Sequence, residues 1–302
     1  MAGLALSEPL RGPLGYARTM SKELATSESV LPRPAATVML VRDASSGVEV
    51  FLMERSAHGM FGGLHVFPGG KVDDADHAKR WGTLSRGPDD ATASEILGVD
   101  EGGLSYWVAC IRECFEEAGV LLALGSDART LRLQSSTMRS RYQVWRDRIN
   151  ANEDEVLEAM CRQEKLLLAT DQLAYVSHWI TPIDQPRRYN TRFFVARAPA
   201  NQEALHDGHE TIESAWMRPE IALERFEAGT LNLISPTFKN LESIAGYSST
   251  EELLEAKRKI DPTTIPTILP RIISSDTESF DEILEVVGGG RTDPGSKSAR
   301  SS

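Results

Sequence analysis

Cysteine is scarce in this chain: Cys110, Cys114 and Cys161 are the only three among 302 residues. Three thiols are too few for a disulfide framework, which points to a reducing compartment. Cys110 and Cys114 share a helical stretch with no His or Cys cluster near them in sequence, so they read as small apolar side chains rather than zinc ligands. Long apolar runs are missing as well. No segment approaches the roughly 20 residues needed to cross a bilayer, and the opening "MAGLALSEPLRGPLGYARTM" lacks the continuous apolar stretch of a secretory signal. Positive charge is in deficit: 33 Lys and Arg stand against 44 Asp and Glu, for a net charge of -11. Such a field disfavours nucleic acid and anionic membranes, while leaving room for a small basic pocket. There is no internal repeat. The expectation is a cytoplasmic protein with neither a nucleic-acid nor a membrane partner.

What is present is an ordinary globular composition, 41% apolar and 25% charged, with ample length for a core. "AATVMLV" (Ala35 to Val41) and "VEVFLM" (Val48 to Met53) read as two strands, separated by the turn formers of Asp43 to Gly47. "FGGLHVFPGG" then brings a proline and two glycines together, a turn through which backbone can approach a ligand. Residues 72–103 are polar and irregular. A helix is expected from an N-cap at Ser105 to Gly119, further helical periodicity runs from Arg139 to Leu168, and strands are expected at Leu173 to Ile180, Arg192 to Ala196 and Ile212 to Met217. From Pro219 onward the pattern is helical, at Ile221 to Glu227, Phe238 to Ala245 and Glu251 to Arg258. The tail "GGGRTDPGSKSARSS" has the composition of a mobile end. Together these elements give a mixed α/β domain extended by helices.

The Ser105–Gly119 helix carries the chemistry. At 100° per residue, Glu113 and Glu117 lie about 40° apart and Glu116 roughly 60° to the other side of Glu113. Leu104, Trp107, Val108, Ile111, Phe115 and Ala118 form the opposite, apolar stripe, which anchors the helix to the sheet. Acidic neighbours on an exposed helix cost only about 0.2–0.5 kcal/mol per pair. Repulsion is therefore tolerable and proves no metal site: the cluster reads as a solvated acidic face, with oxygen ligands for a hard divalent cation as the alternative.

The surroundings narrow the choice. "GGKVDDAD" followed by "RECFEEAGV" resembles the box motif of the Nudix hydrolases: Gly70 matches its opening glycine, Asp76 its first acid, and Arg112, Glu113, Glu116, Glu117, Gly119 and Val120 its second half. Cys114 replaces the usual aliphatic residue, and 35 residues separate Asp76 from Arg112 where the family pattern has seven. An interrupted box, together with "HVFPGG", "WITP" at Trp179 to Pro182, "RRYNTRFFVA" at Arg187 to Ala196, and Glu210 ahead of Trp216, is similar to the coenzyme A-cleaving branch of the family. The separate coenzyme A signature of other Nudix enzymes finds only a partial echo in "MERSAHGMFGG", and the ending Ala-Arg-Ser-Ser differs from the peroxisomal signal found in that branch.

The resemblance implies a Nudix-type mixed-sheet α/β/α sandwich with an insertion at about residues 77–103. The implied organisation is a flexible N-terminal segment (1–33), a Nudix domain (34–218), a helical extension packed on it (219–287) and a flexible tail (288–302). It implies a metal-dependent diphosphatase that cleaves coenzyme A or acyl-coenzyme A to 3',5'-ADP and 4'-phosphopantetheine, with the acyl group retained if present. ADP-ribose, NADH or another nucleoside-diphosphate-linked substrate is the alternative, and a non-catalytic nucleotide-binding protein a further one. Mg2+ or Mn2+ is implied as cofactor, on Glu113, Glu116 and Glu117 with the Gly70 carbonyl as an additional ligand. Glu113, Glu116 and Glu117 are the implied catalytic set, with Glu116 and Glu210 the two candidates for general base. Arg112 is implied to hold the helix through an internal ion pair, and Gly69 and Gly119 to be structural. Arg55, Arg187, Arg188 and Arg192 are candidates for the substrate phosphates; adjacent in an extended strand, Arg187 and Arg188 would point apart. His58, His65, His178 and His209 form no ligand motif and are expected to be structural or solvent-facing. The resemblance also implies a homodimer.

Overall fold

The computed structural model describes residues 10–13, 30–55, 63–77, 79–183, 185–205, 211–275 and 279–289. In chain order the strands are β1 (Leu10–Pro13), β2 (Arg33–Ala44), β3 (Gly47–Arg55), β4 (His65–Val66), β5 (Gly69–Lys71), β6 (Ala123–Leu124), β7 (Leu167–Leu168), β8 (Ala174–Ile180), β9 (Tyr189–Arg197), β10 (Thr211–Met217), β11 (Pro266–Ser275) and β12 (Ser279–Gly289). The helices are α1 (Trp81–Leu84), α2 (Asp90–Leu97), α3 (Leu104–Ala118), α4 (Ser136–Asn150), α5 (Val156–Glu164), α6 (Pro219–Glu227), α7 (Ser235–Ile244) and α8 (Thr250–Arg258). None of the described helices is long and apolar enough to cross a membrane.

The main sheet has the order β1-β12-β11-β8-β9-β2-β3-β10, with β4 paired to β3 and β5 to β2. It is mixed: β2 runs parallel to β9 and β11 parallel to β8, while the remaining pairs are antiparallel. Side chains alternate across a strand, so β2 feeds two cores. Val38 and Leu40 face α3 together with Phe51, Met53 and Phe194. Met39 and Val41 face the opposite side, where Leu241 and Ile244 of α7 and Leu253 of α8 pack. Helices thus cover both faces, and the layers are those of an α/β/α sandwich.

Several expectations change. The polar stretch before α3 is not an irregular excursion: it holds α1 and α2, whose Trp81, Leu84, Ala93 and Leu97 are buried in the same core as α3. The Arg139–Leu168 periodicity divides into α4 and α5, because Asn152 and Glu155 adopt φ of 54° and 57° and break the helix between them. The last α-helix of the extension ends at Arg258, and after a single 3-10 turn at Pro262–Thr264 the strands β11 and β12 continue the main sheet beyond β8. "TILPRII" and "ILEVV" are rich in β-branched residues, and pairing with β8 supplies the ladder that a strand needs. The N-terminal segment is not wholly without structure, since Leu10–Pro13 pairs with β12. The ends expected to be mobile otherwise lie outside the described residues, apart from residues 30–33 and 288–289.

Candidate active site

The acidic helix α3 is held at both ends by side chains from elsewhere in the chain. At its start, Asp90 accepts hydrogen bonds from the backbone N–H of Gly102 (3.1 Å) and Leu104 (3.0 Å), and the Ser94 hydroxyl accepts one from Gly103 (2.9 Å). These are amides that a helix leaves without intrahelical partners. Both acceptors sit on α2, inside the interruption of the box. The expected N-cap at Ser105 is therefore not formed: its hydroxyl donates to the Gly102 carbonyl (2.6 Å), and Gly103 occupies the cap position. Only glycine fits there, since a Cβ at 103 would lie 2.2 Å from the Ser94 nitrogen.

At the other end, Gly119 turns the chain with a φ of 68°, the left-handed conformation that glycine adopts without steric cost. Arg146 of α4 then donates from Nε to the carbonyl of Glu116 (2.9 Å) and from Nη2 to the carbonyls of Glu117 (2.9 Å) and Leu205 (3.1 Å). A cation on terminal carbonyls also complements the helix dipole.

Between these clamps, the interruption of the box closes in space. Arg112 and Asp76 are both buried. Arg112 Nη2 lies 2.8 Å from Asp76 Oδ2 and also donates to the Lys71 carbonyl at 2.8 Å. Its Nη1 donates to Glu113 Oε1 (2.9 Å) and Glu116 Oε1 (3.0 Å). Glu117 Oε2 accepts the Gly69 N–H at 2.8 Å. A Cβ at Gly70 would lie 2.4 Å from Glu113 Oε1, and one at Gly69 would lie 2.6 Å from the Ala36 carbonyl, so the Gly-Gly turn passes directly beneath the carboxylates.

Burial dominates the electrostatics. It pushes the Glu113 carboxyl up to about 8, opposed by Arg112 and reinforced by Glu116. It also raises Glu116, again against the pull of Arg112. Burial alone would lower the Arg112 guanidinium, yet the Asp76 hydrogen bond and the surrounding acids hold it above its ordinary value. One guanidinium thus balances part of a charge that a cation would balance further. Among the described residues, no three His, Cys, Asp or Glu side chains are gathered into a ready metal-binding group. The carboxylates face Arg112 and the Gly69 amide instead. The donor chemistry still fits a divalent cation: the oxygens are hard, they abut one cavity, and at Gly70 no side chain intervenes.

That cavity measures about 410 Å³ and is lined by Glu113, Glu116, Glu117, Arg112, Gly69 and Gly70, together with Arg55, Lys71 and Asp73. Of the four arginines expected at the phosphates, only Arg55 lines it. Arg187 is exposed, whereas Arg188 is buried and donates to the Thr181 (3.1 Å) and Val30 (2.8 Å) carbonyls. Arg192 is fully buried with Asn190, His178 and the Tyr106 ring on the sheet face away from the cavity. Alternation along β9 is the reason: Tyr189, Thr191 and Phe193 face the cavity, so Asn190 and Arg192 cannot. His178 is buried against Thr267 and Asn190, and His65 is half-buried. Glu210, His58 and His209 lie outside the described residues. None of the described residues of the interruption lines the cavity.

Several lining residues were not among the expected site residues, although Trp179, Ile180 and Tyr189 lie in stretches that carry the family resemblance. Trp179, Ile180 and Tyr189 reach the cavity through strand register, and Ile234, Ser235, Pro236 and Thr237 through the start of α7. Arg146 carried a sequence signal: it stands with Tyr142, Trp145 and Ile149 on the buried stripe of α4, where a charge needs a partner.

Comparison with known proteins gives a consistent result. Residues 88–244 match the family model described as the NUDT19 Nudix domain. The "Acyl-coenzyme A diphosphatase NUDT19" of Gallus gallus is 28% identical over 240 residues, which cover 68% of this chain and 62% of that protein. The protein of the same description from Homo sapiens is 27% identical over 283 residues, covering 82% of this chain and 74% of that protein. The chain therefore spans less than two thirds of the length of the Gallus gallus relative. A crystal structure of a NUDIX hydrolase from Alicyclobacillus acidocaldarius superposes with a TM-score of 0.62 at 22% identity, over 76% of this chain and 97% of that one, and it shares the fold.

Proposed function

Because the chain belongs to the Nudix family, in its NUDT19 branch, we propose that it hydrolyses the diphosphate of coenzyme A or acyl-coenzyme A, releasing 3',5'-ADP and 4'-phosphopantetheine or its acyl form. The observation that carries this reading is the convergence of Glu113, Glu116, Glu117 and the Gly69–Gly70 turn on one cavity that also holds Arg55 and Lys71. The names of the relatives supply the substrate class.

Nudix hydrolases use divalent cations; magnesium or manganese is our assignment here, on Glu113, Glu116, Glu117 and the Gly70 carbonyl. When bound, such an ion lowers the pKa of water and offsets charge on the phosphate oxygens. The chain's own residues do the rest. Arg55 and Lys71 meet the diphosphate at the carboxylate end of the cavity. Arg112 keeps the helix against β5 through Asp76 and the Lys71 carbonyl. Glu116 is half-buried at the cavity, where it can face both a cation and solvent, which suits an acceptor for the proton of the attacking water. Glu210 remains the alternative base.

Product analysis with coenzyme A, ADP-ribose and NADH, side by side with magnesium, tests this reading. Cleavage of coenzyme A at the diphosphate is expected. Coenzyme A left intact while ADP-ribose is cleaved would replace it with the nucleoside-diphosphate alternative.

A further inference from the structure

The charged and uncharged linings of the cavity are segregated by strand order. Its cations and carboxylates come from β3, the β5 turn and α3. On the far side of β2, the strands β8 and β9 contribute Trp179, Ile180, Tyr189 and Thr191, and no charged residue of either strand lines the cavity. The extension completes that side with Ile234, Pro236 and Pro270. Register fixes the separation. Ala35 pairs with Lys71 on one side and Thr191 on the other, and Thr191 pairs with Trp179. Three strand spacings, roughly 14 Å, therefore lie between Lys71 and Trp179.

We propose that this uncharged compartment seats the neutral, amide-bearing arm of the substrate, and that the extension is thereby part of the specificity site. The inference rests on the proposed function in taking an arm-bearing diphosphate as substrate. Its physical basis is desolvation. The nucleotide half of coenzyme A carries a further phosphate, and burying that charge beside Trp179, Ile234 and Pro236, with no cation among the described residues of that side to pair it, is strongly unfavourable. An arm of methylenes and amides has no such penalty: it removes apolar surface from water against the same side chains, and the hydroxyls of Thr191 and Tyr189 are there for its amides. The diphosphate stays at the carboxylate end, and the nucleotide half is excluded from the compartment.

A charge placed at Ile234 tests the assignment through its sign. Calorimetric titration, with magnesium, of 4'-phosphopantetheine and of 3',5'-ADP into the full chain and into Ile234→Lys is the experiment. The variant is expected to bind 4'-phosphopantetheine about tenfold more weakly, from the lost apolar contact and the desolvated ammonium, with 3',5'-ADP unchanged within about twofold. Tighter binding of 3',5'-ADP by Ile234→Lys would overturn the proposal, because the compartment would then hold the nucleotide half. Equal binding of 4'-phosphopantetheine by both proteins would overturn it too, as would a wild-type chain that binds no 4'-phosphopantetheine. Ile234→Ala supplies the same comparison if the lysine variant does not fold, with weakening of about threefold expected for 4'-phosphopantetheine alone. The cleavage assay reads separately: coenzyme A left uncleaved defeats the functional reading, while the titrations still decide where the arm binds.

Discussion

Arg146 Nε lies 2.9 Å from the carbonyl oxygen of Glu116, so a buried guanidinium on α4 caps the turn of α3 that presents two of the three carboxylates. With Asp90 and Ser94 at the other end, the helix is fixed against both rotation and fraying. The glutamates are thereby positioned by contacts that touch none of their carboxylates.

Arg146→Ala leaves the carbonyls of Glu116, Glu117 and Leu205 without this donor and is expected to destabilise the fold by about 2–4 kcal/mol. Turnover should fall by more than the unfolded fraction explains, and Arg146→Lys should recover part of it. Activity measured well below each variant's melting temperature provides the check; normal turnover in a destabilised Arg146→Ala protein would reduce the residue to a purely structural contact.

Asp90→Ala removes a two-amide acceptor from the start of α3 and should cost about 0.5–2 kcal/mol, read as a lower melting temperature. Because none of the described residues of the interruption lines the cavity, KM should stay near its wild-type value. A large KM change with unaltered stability would instead make this segment a lid.

Glu116→Gln is expected to lower turnover on the order of 10²-fold or more, while thermal unfolding changes little or improves, since a buried like charge is removed. Assays and melting curves on one preparation compare the two effects. Parallel loss of both would mean that the carboxylate serves the fold alone.

The two glycines of the turn should respond differently. In Gly70→Ala the new methyl meets the flexible end of Glu113, so divalent-cation affinity and turnover should fall with little loss of stability. In Gly69→Ala it meets the backbone of Ala36 and Thr37, and a destabilisation of about 1–3 kcal/mol is expected. Metal titration alongside denaturant unfolding separates the pair, and equal stability losses would contradict this geometry.

His178 gives the pH dependence. Burial, then Arg192, lowers its pKa to about 3, while Asn190 opposes them. The folded chain therefore keeps this imidazole neutral where the unfolded chain, at about 6.5, already binds a proton. Stability from this group is full above about pH 6.5 and falls as pH drops toward 3, by at most about 1.4 kcal/mol per pH unit. His178→Gln should flatten that acid limb in chemical denaturation across pH, and an unchanged slope would refute the assignment.

The sequence by itself determined the acidic helix, its apolar stripe, the Gly-Gly turn and the mixed α/β content, because periodicities of 3.6 and 2.0 and local turn chemistry are written over a few neighbouring residues. It also placed Glu113, Glu116 and Glu117 on a common face before any packing was known. Tertiary structure alone decided which arginine reaches the cavity, since Arg55 and Arg192 look alike in the chain and differ only in the face that strand pairing assigns them. It also made the interruption a cap on α3, and brought Ile234 and Pro270 of the extension to the cavity wall. Those outcomes depend on contacts between residues far apart in the chain, and no local spacing encodes a partner that only folding brings near.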